Sequence, residues 1–188
     1  ADGGIEFLDN GSDGGENVAE FADFMTFTKF RTNANTSFFG FILCSFASDA
    51  GATNSCWLSD SGGEVLQYTS KSVQQFKTGA ATTNVNHAGT ISVATNERKH
   101  LMIMQRDTSD NITIFVDGLQ HDGSQTNTGA FDLINLGAKA AANNFFDGIM
   151  YDVGFVSGLS ADMVKDDLRI RITDYLLAKH GMERRGLT

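Results

Sequence analysis

The sequence predicts an all-β fold, two antiparallel sheets packed as a sandwich, with one C-terminal α-helix over about residues 160–180. Three observations carry this. Short apolar runs alternate with stretches rich in Gly, Asn, Asp, Ser and Thr, the pattern of many strands joined by turns. Asn111–Ser124, NITIFVDGLQHDGS, reads as a strand, an Asp-Gly turn and a return strand. Asp-Gly suits a type I′ hairpin, whose two central residues both need positive φ. After Leu159 the apolar spacing lengthens from the strand period to the helical one. A chain of 188 residues is of one-domain size, 1–188, and long enough to bury a full core.

The elements follow in order. Ile5–Leu8 is a candidate edge strand within a Gly/Asp/Asn-rich opening. Phe21–Arg31, FADFMTFTKFR, carries apolar residues on both parities, as a strand inside a two-layer structure does. Phe38–Phe46, FFGFILCSF, is apolar throughout and reads as a central strand. Cys56–Leu58 and Glu64–Thr69 pair across the flexible turn Ser59–Gly63. Between Lys71 and Thr95 the pattern is thin, with Val85 and Ile91–Val93 as candidate short strands. Leu101–Met104 opens a run that turns at Thr108–Asn111 and returns as Ile112–Asp117. In that return Ile112, Ile114 and Val116 share one face. Phe131–Leu136 and Phe145–Val156 supply further strands. Proline is absent, so turns must rely on Gly, Asn and Asp. In the helix Val164, Leu168, Ile172, Tyr175 and Lys179 recur at helical spacing, with Leu176 widening the stripe. Ser160 suits its N-cap, Asp162 its positive end and Gly181 its left-handed stop.

Composition excludes some partners. A formal charge of −9 argues against nucleic acid, which needs clustered Lys and Arg. No apolar run approaches the roughly 20 residues that span a bilayer. The opening ADGGIEFLDNG lacks the basic and apolar regions of a secretory signal, so the chain is expected to act without one or to have had it removed. Cys44 and Cys56 sit in apolar runs that could be neighbouring strands. A disulfide would need a suitable Cβ separation; two buried free thiols are the favoured reading.

Several motifs then occur in a recognisable order: Ile114–Gly118 (IFVDG), Ile134–Gly137 (INLG), Phe146–Ile149 (FDGI), Val153–Phe155 (VGF) and Leu159-Ser160. Together they resemble the C-terminal half of a concanavalin A-like lectin/glucanase domain of the laminin-G type. The tail Asp174–Met182, DYLLAKHGM, resembles the short helix that ends many bacterial and phage members. The motifs cover roughly Leu101–Met182. The resemblance implies a jelly-roll sandwich. It does not imply a function, because the motifs are turns and core positions.

The chemistry is expected to be recognition rather than catalysis. Glycosidic hydrolysis needs two facing carboxyl groups. The glucanases that the chain resembles place them in a Glu-x-Asp-x-x-Glu run, which is absent here. Glu20 and Asp23 only flank a strand start, and Asp147 and Asp152 differ in strand parity. Asp117 and Asp147 are better explained as turn residues. His87, His100, His121 and His180 show no nucleophile spacing. The resemblance makes calcium the candidate metal, with loop oxygens from Asp9 and Asp13 or from Asp107 and Asp110. For sugar stacking the candidates are Trp57 and then Tyr68, since rings with a polar handle often sit half-exposed. Phe145 and Phe146 point to opposite faces, so one is a candidate subunit contact. The expected role is a non-catalytic lectin-like protein of a phage virion surface (capsid decoration, head fibre or tail adhesion), as a homo-oligomer. The alternative is a carbohydrate-binding module of a secreted bacterial protein; a glycan hydrolase or lyase ranks below both.

Overall fold

The apolar runs become strands because their alternating side chains have two layers to enter. In a computed structural model the described residues are 5–7, 25–32, 36–46, 55–60, 64–70, 73–78, 82–86, 98–137, 146, 148–158 and 167–184. They form two six-stranded antiparallel sheets. Sheet I runs, in spatial order, β1 (Ile5–Phe7), β12 (Gly148–Ser157), β3 (Phe38–Phe46), β8 (His100–Arg106), β9 (Asn111–Val116) and β10 (Leu119–Thr126). Sheet II runs β2 (Met25–Thr32), β11 (Phe131–Leu136), β4 (Ser55–Ser59), β5 (Val65–Ser70), β6 (Val73–Lys77) and β7 (Thr82–Asn86). The expected edge strand at Ile5 lies at the edge of sheet I. The strand at Val73–Lys77, VQQFK, is an addition, hidden in the sequence by its two glutamines.

Between the sheets lies the main core. Sheet I contributes Phe38, Ile42, Cys44, Phe46, Met102, Met104, Ile112 and Ile114; sheet II contributes Trp57, Leu58, Leu66, Tyr68, Phe76 and Leu136. A second core lies on the other face of sheet I. There Phe39, Leu43, Leu101, Ile103 and Phe115 meet Leu176 and Leu177. Strand β3 is therefore buried on both faces, which explains why it is apolar throughout. Each such Leu or Phe contributes roughly 1.5–3 kcal/mol when fully buried. Gly40 and Gly154 leave space for neighbouring rings: Phe155 lies over Gly40 and Phe41 over Gly154, across the β3–β12 ladder. Cys44 and Cys56 are buried thiols on different sheets and form no disulfide.

The β9–β10 hairpin turns as expected, with φ of 50° at Asp117 and 85° at Gly118. The Asp117 carboxylate does more than make the turn. It accepts the Leu101 N–H at 2.9 Å, and its other oxygen lies 3.0 Å from His100 Nδ1. The hairpin tip is thereby tied to the start of β8.

Helix α1 spans Leu168–Lys179; Ser160, Asp162 and Val164 fall outside the described residues. It ends as expected at Gly181, with φ 63°. Gly181 N donates to Ala178 O and Met182 N to Leu177 O, the paired bonds of a Schellman stop. The expected apolar stripe holds in part. Leu176 is buried and Leu168 and Ile172 pack against the same core, Arg169, Thr173 and Leu177 join the buried face, and Tyr175 is 64% exposed. The helix is rotated because Arg169 stacks its guanidinium 3.9 Å from the Phe115 ring centroid, so its charge adds to packing.

Arg106 fastens loops at one end of the sandwich. It is fully buried, and its guanidinium donates to the carbonyls of Thr36 (2.7 Å), Asn127 (3.0 Å) and Gly129 (2.6 Å). Its charge also lies over the rings of Phe38 and Phe76. Lysine carries the charge but not the planar fork. Arg106→Lys is therefore expected to destabilise the fold by about 3 kcal/mol. The measurement is urea unfolding, with a lower midpoint at unchanged slope; an unchanged midpoint would show that the fork is dispensable.

Candidate recognition site

A bulge in β12 builds the site. Met150 pairs with Cys44 and Asp152 with Leu43, so Tyr151 is an extra residue in the ladder. Bulges re-aim side chains. Here Tyr151 packs against the core beneath α1, and the next residue, Asp152, also reaches the helix. Two consecutive side chains thus serve the same face, which a regular strand does not allow.

The half-buried Tyr151 ring is the centre of the cluster. Its hydroxyl lies 3.4 Å from Ser45 Oγ, Lys99 Nζ sits 4.4 Å from its centroid, and the His180 ring is 5.7 Å away. Asp152 accepts from Lys179 Nζ at 2.8 and 2.9 Å and lies 2.6 Å from His180 Nε2. Lys179 and His180 are the last residues of the helical run, where cations complement the carbonyl end. Partial burial pushes the Asp152 pKa up, but the hydrogen bonds and charges of Lys179 and His180 outweigh it and hold the carboxyl below its usual range. The hydrogen bond to Asp152 raises the Lys179 pKa. An aromatic ring flanked by a carboxylate, an imidazole and two ammonium groups has the parts used to hold hydroxylated ligands.

The cluster holds one carboxylate, already committed to Lys179 and His180, and not the facing pair of carboxyl groups that a glycosidase uses. Other described carboxylates are also engaged. Glu64 accepts from Asp132 N, Asp117 holds the hairpin, and Asp174 pairs with Arg184.

The residues singled out by sequence lie elsewhere. Trp57 and Tyr68 are 0% and 1% exposed, so stacking on a sugar is corrected for both. A bulge between Cys56 and Leu58 accommodates Trp57 in the inner core, and Tyr68 packs edge-on to Phe46. Phe146 is 1% exposed, 5.3 Å from the Phe46 ring, and is core rather than a subunit contact. Phe145, Asp9, Asp13 and His87 lie outside the described residues, as does the His121 side chain. Asp107 spends its oxygens on its own turn, accepting from Ser109 N, Asn111 N and Asn111 Nδ2. Asp110 follows with φ 63°. Among the described residues no three His, Cys, Asp or Glu side chains come together to hold a metal. Asp107 and Asp110 therefore do not fit calcium. Sequence reasoning missed Tyr151 because the bulge that turns it to the helix leaves no mark in the alternation of FFDGIMYDVGF.

The outer face of sheet II carries amides that bond to one another or to a hydroxyl. Gln67 Nε2 donates to Gln75 Oε1 at 2.8 Å, and Asn135 Nδ2 to Ser59 Oγ at 3.3 Å. Gln67, Asn135 and Ser59 are all buried, so this face is not an open counterpart to the Tyr151 cluster.

No family model matches the sequence, and no curated protein matches it. Solved structures do share the fold. A candidate carbohydrate-binding protein from Bacteroides ovatus superposes with a TM-score of 0.55 at 17% identity, over 76% of this chain and 43% of that one. This chain thus spans less than half of the Bacteroides protein's length. Looser matches are the binding domain of Paraclostridial Mosquitocidal Protein 1 (TM-score 0.49, 9% identity, 94% of this chain and 53% of that one) and a heptameric SAP-like pentraxin from Limulus polyphemus (TM-score 0.47, 9% identity, 74% of each). At 17% identity the likeness to the Bacteroides protein shows the fold alone.

The Asp152 contacts make a pH-dependent prediction. Its folded pKa is depressed, so the stability it contributes is complete above the unfolded value of about 3.9 and is lost as pH falls through the folded value. Asp152→Asn is expected to destabilise at pH 7 by about 1 kcal/mol. The difference from wild type should close in strong acid. Urea unfolding at both pH values tests this, and a gap that persists in acid would remove the carboxylate as its cause.

Proposed function

We propose that this chain is a non-catalytic, lectin-like interaction protein that binds glycans at the Tyr151 cluster. The observation that carries the reading is the half-buried Tyr151 ring, set by the β12 bulge beside Asp152, Lys179, His180 and Lys99. Such groups match a sugar's apolar face and its hydroxyls. We place it on a phage virion surface, as capsid decoration, head fibre or tail adhesion, in a homo-oligomer. Support for that setting comes from the order of the C-terminal motifs and the tail Asp174–Met182. Among the described residues no helix is long and apolar enough to cross a membrane.

A second reading, a carbohydrate-binding module of a secreted bacterial protein, is favoured by one observation. The Bacteroides protein that shares the fold is more than twice as long as the stretch this chain matches.

On a glycan array, specific binding by the wild type is expected to fall at least tenfold in Tyr151→Ala, a loss of about 1.4 kcal/mol. Far-UV circular dichroism should be unchanged. Binding that survives the substitution would move the site elsewhere. Native mass spectrometry separates the settings: an oligomer that co-purifies with particles supports the virion, and a lone monomer that never does supports the module.

A further inference from the structure

The chain carries a formal charge of −9, yet basic side chains from two separate parts of it meet at the Tyr151 ring. Lys99 precedes β8, and Lys179 and His180 close α1. The ladders explain the meeting. Cys44 pairs with His100 at the end of the β3–β8 register, and Ser45 pairs with Ile149 on β12. Ser45 and Lys99 adjoin the Cys44–His100 pair. They have the parity of Leu43 and Leu101, which pack under α1. The bulge adds Tyr151 to the same face, with its hydroxyl 3.4 Å from Ser45 Oγ.

One face of the ring is already covered. Lys99 Nζ lies 4.4 Å from the ring centroid, a cation–π contact. The His180 ring stands 5.7 Å away, inclined by 60°. A sugar that stacks on the face under Lys99 must therefore move the ammonium or bond to it. A neutral sugar displaces the cation and offers it only neutral hydroxyl oxygens. A sugar with an anionic substituent offers a charge-assisted hydrogen bond, roughly twice as strong as a neutral one. The neighbouring groups favour the same outcome. Asp152 already takes Lys179 Nζ on both oxygens and lies 2.6 Å from His180 Nε2. The hydrogen bond to Asp152 raises the Lys179 pKa, so that ammonium stays charged. Ammonium groups donate and cannot accept, and an acceptor-only group suits them best.

Resting on the glycan-binding reading of this site, we propose that the Tyr151 cluster selects glycans bearing an anionic substituent, a carboxylate or a sulfate, and that Lys99 sets the preference. The sugar's apolar face takes the place of Lys99 over Tyr151, and the ammonium turns onto the acidic group. Asp152 acts as a positioning residue, holding Lys179 and His180 beside the ring.

A glycan array probed with the full chain tests it. Uronic-acid glycans are printed beside their carboxyl-reduced forms, and sulfated glycans beside their desulfated forms. The acidic member of a pair is expected to bind about tenfold more tightly than its neutral partner. That margin should shrink as salt rises. The pair that shows it distinguishes carboxylate from sulfate as the group recognised. Lys99→Met keeps the apolar stem and removes the charge, and it should erase the preference within the pair. A purely structural role for Lys99 would weaken both members together and keep their ratio, which would overturn the assignment. Neutral glycans bound as tightly as their acidic partners would overturn the proposal and leave the glycan reading standing. Binding to no glycan of either kind would remove both. The wild-type ratio and its salt dependence decide even where Lys99→Met fails to fold.

Discussion

Everything in this molecule depends on β3 being buried on both faces. Its even-numbered side chains, Phe38, Ile42, Cys44 and Phe46, belong to the inter-sheet core; Phe39 and Leu43 belong to the core under the helix. A strand in that position has no face to spare for solvent, and its ladders are taken by β12 and β8. The constraint reaches its neighbours. Strand β8 inherits the same double burial in Leu101–Met104, and β12 must supply a partner that leaves room for the Phe41 ring, which Gly154 does. The helix follows because the outer apolar face of sheet I must be covered, and Leu176 and Leu177 cover it.

The charged groups complete what apolar packing leaves undone. Arg106 is buried, its donors reach three loop carbonyls and its charge lies against two rings. Such a cation is tolerated because the fork meets several partial charges at once. Asp117 is the complementary case, an acidic side chain held at the hairpin tip by a backbone N–H and an imidazole. Asp152 differs in being half-buried. It links β12 to the helix end and stays partly exposed at the rim.

What sequence could reveal follows from which interactions are local. Asp117-Gly118 and Gly181 were legible because positive φ has a residue-level signature. The apolar runs at Phe38–Phe46 and Leu101–Met104 were legible because double burial removes polar residues. Strand β6 was not, since Gln74 is buried by bonding to Tyr68, a partner that only the register provides. The helix stripe was legible only in part, for a related reason. Arg169 buries its stem and stacks on Phe115, so the most polar residue of that face is among the most covered. Trp57 and Tyr68 carry the polar handles of surface rings, yet both rings are buried, and the Tyr68 hydroxyl accepts from Gln74. For the helix the deciding partner, Phe115, lies far along the chain.

The same physics explains where function is placed. A sandwich whose central strands are buried on both faces cannot present a side chain from the middle of a ladder without opening a core. Recognition groups must come from interruptions of the ladder or from the ends of elements. The Tyr151 cluster uses both. The β12 bulge sets two successive side chains toward the helix, and the helix end brings Lys179 and His180 to meet them. Beyond Met150, among the described residues, β1 no longer pairs with β12, so the strand that carries the bulge is an edge along the rest of its length. An edge strand tolerates a bulge that a central ladder would resist. The cluster thus sits at a place on sheet I where the fold permits a polar, partly open site beside a rigid support. A carboxylate paired with Lys179 and His180 in such a place is suited to orienting polar groups, in keeping with the binding role proposed above.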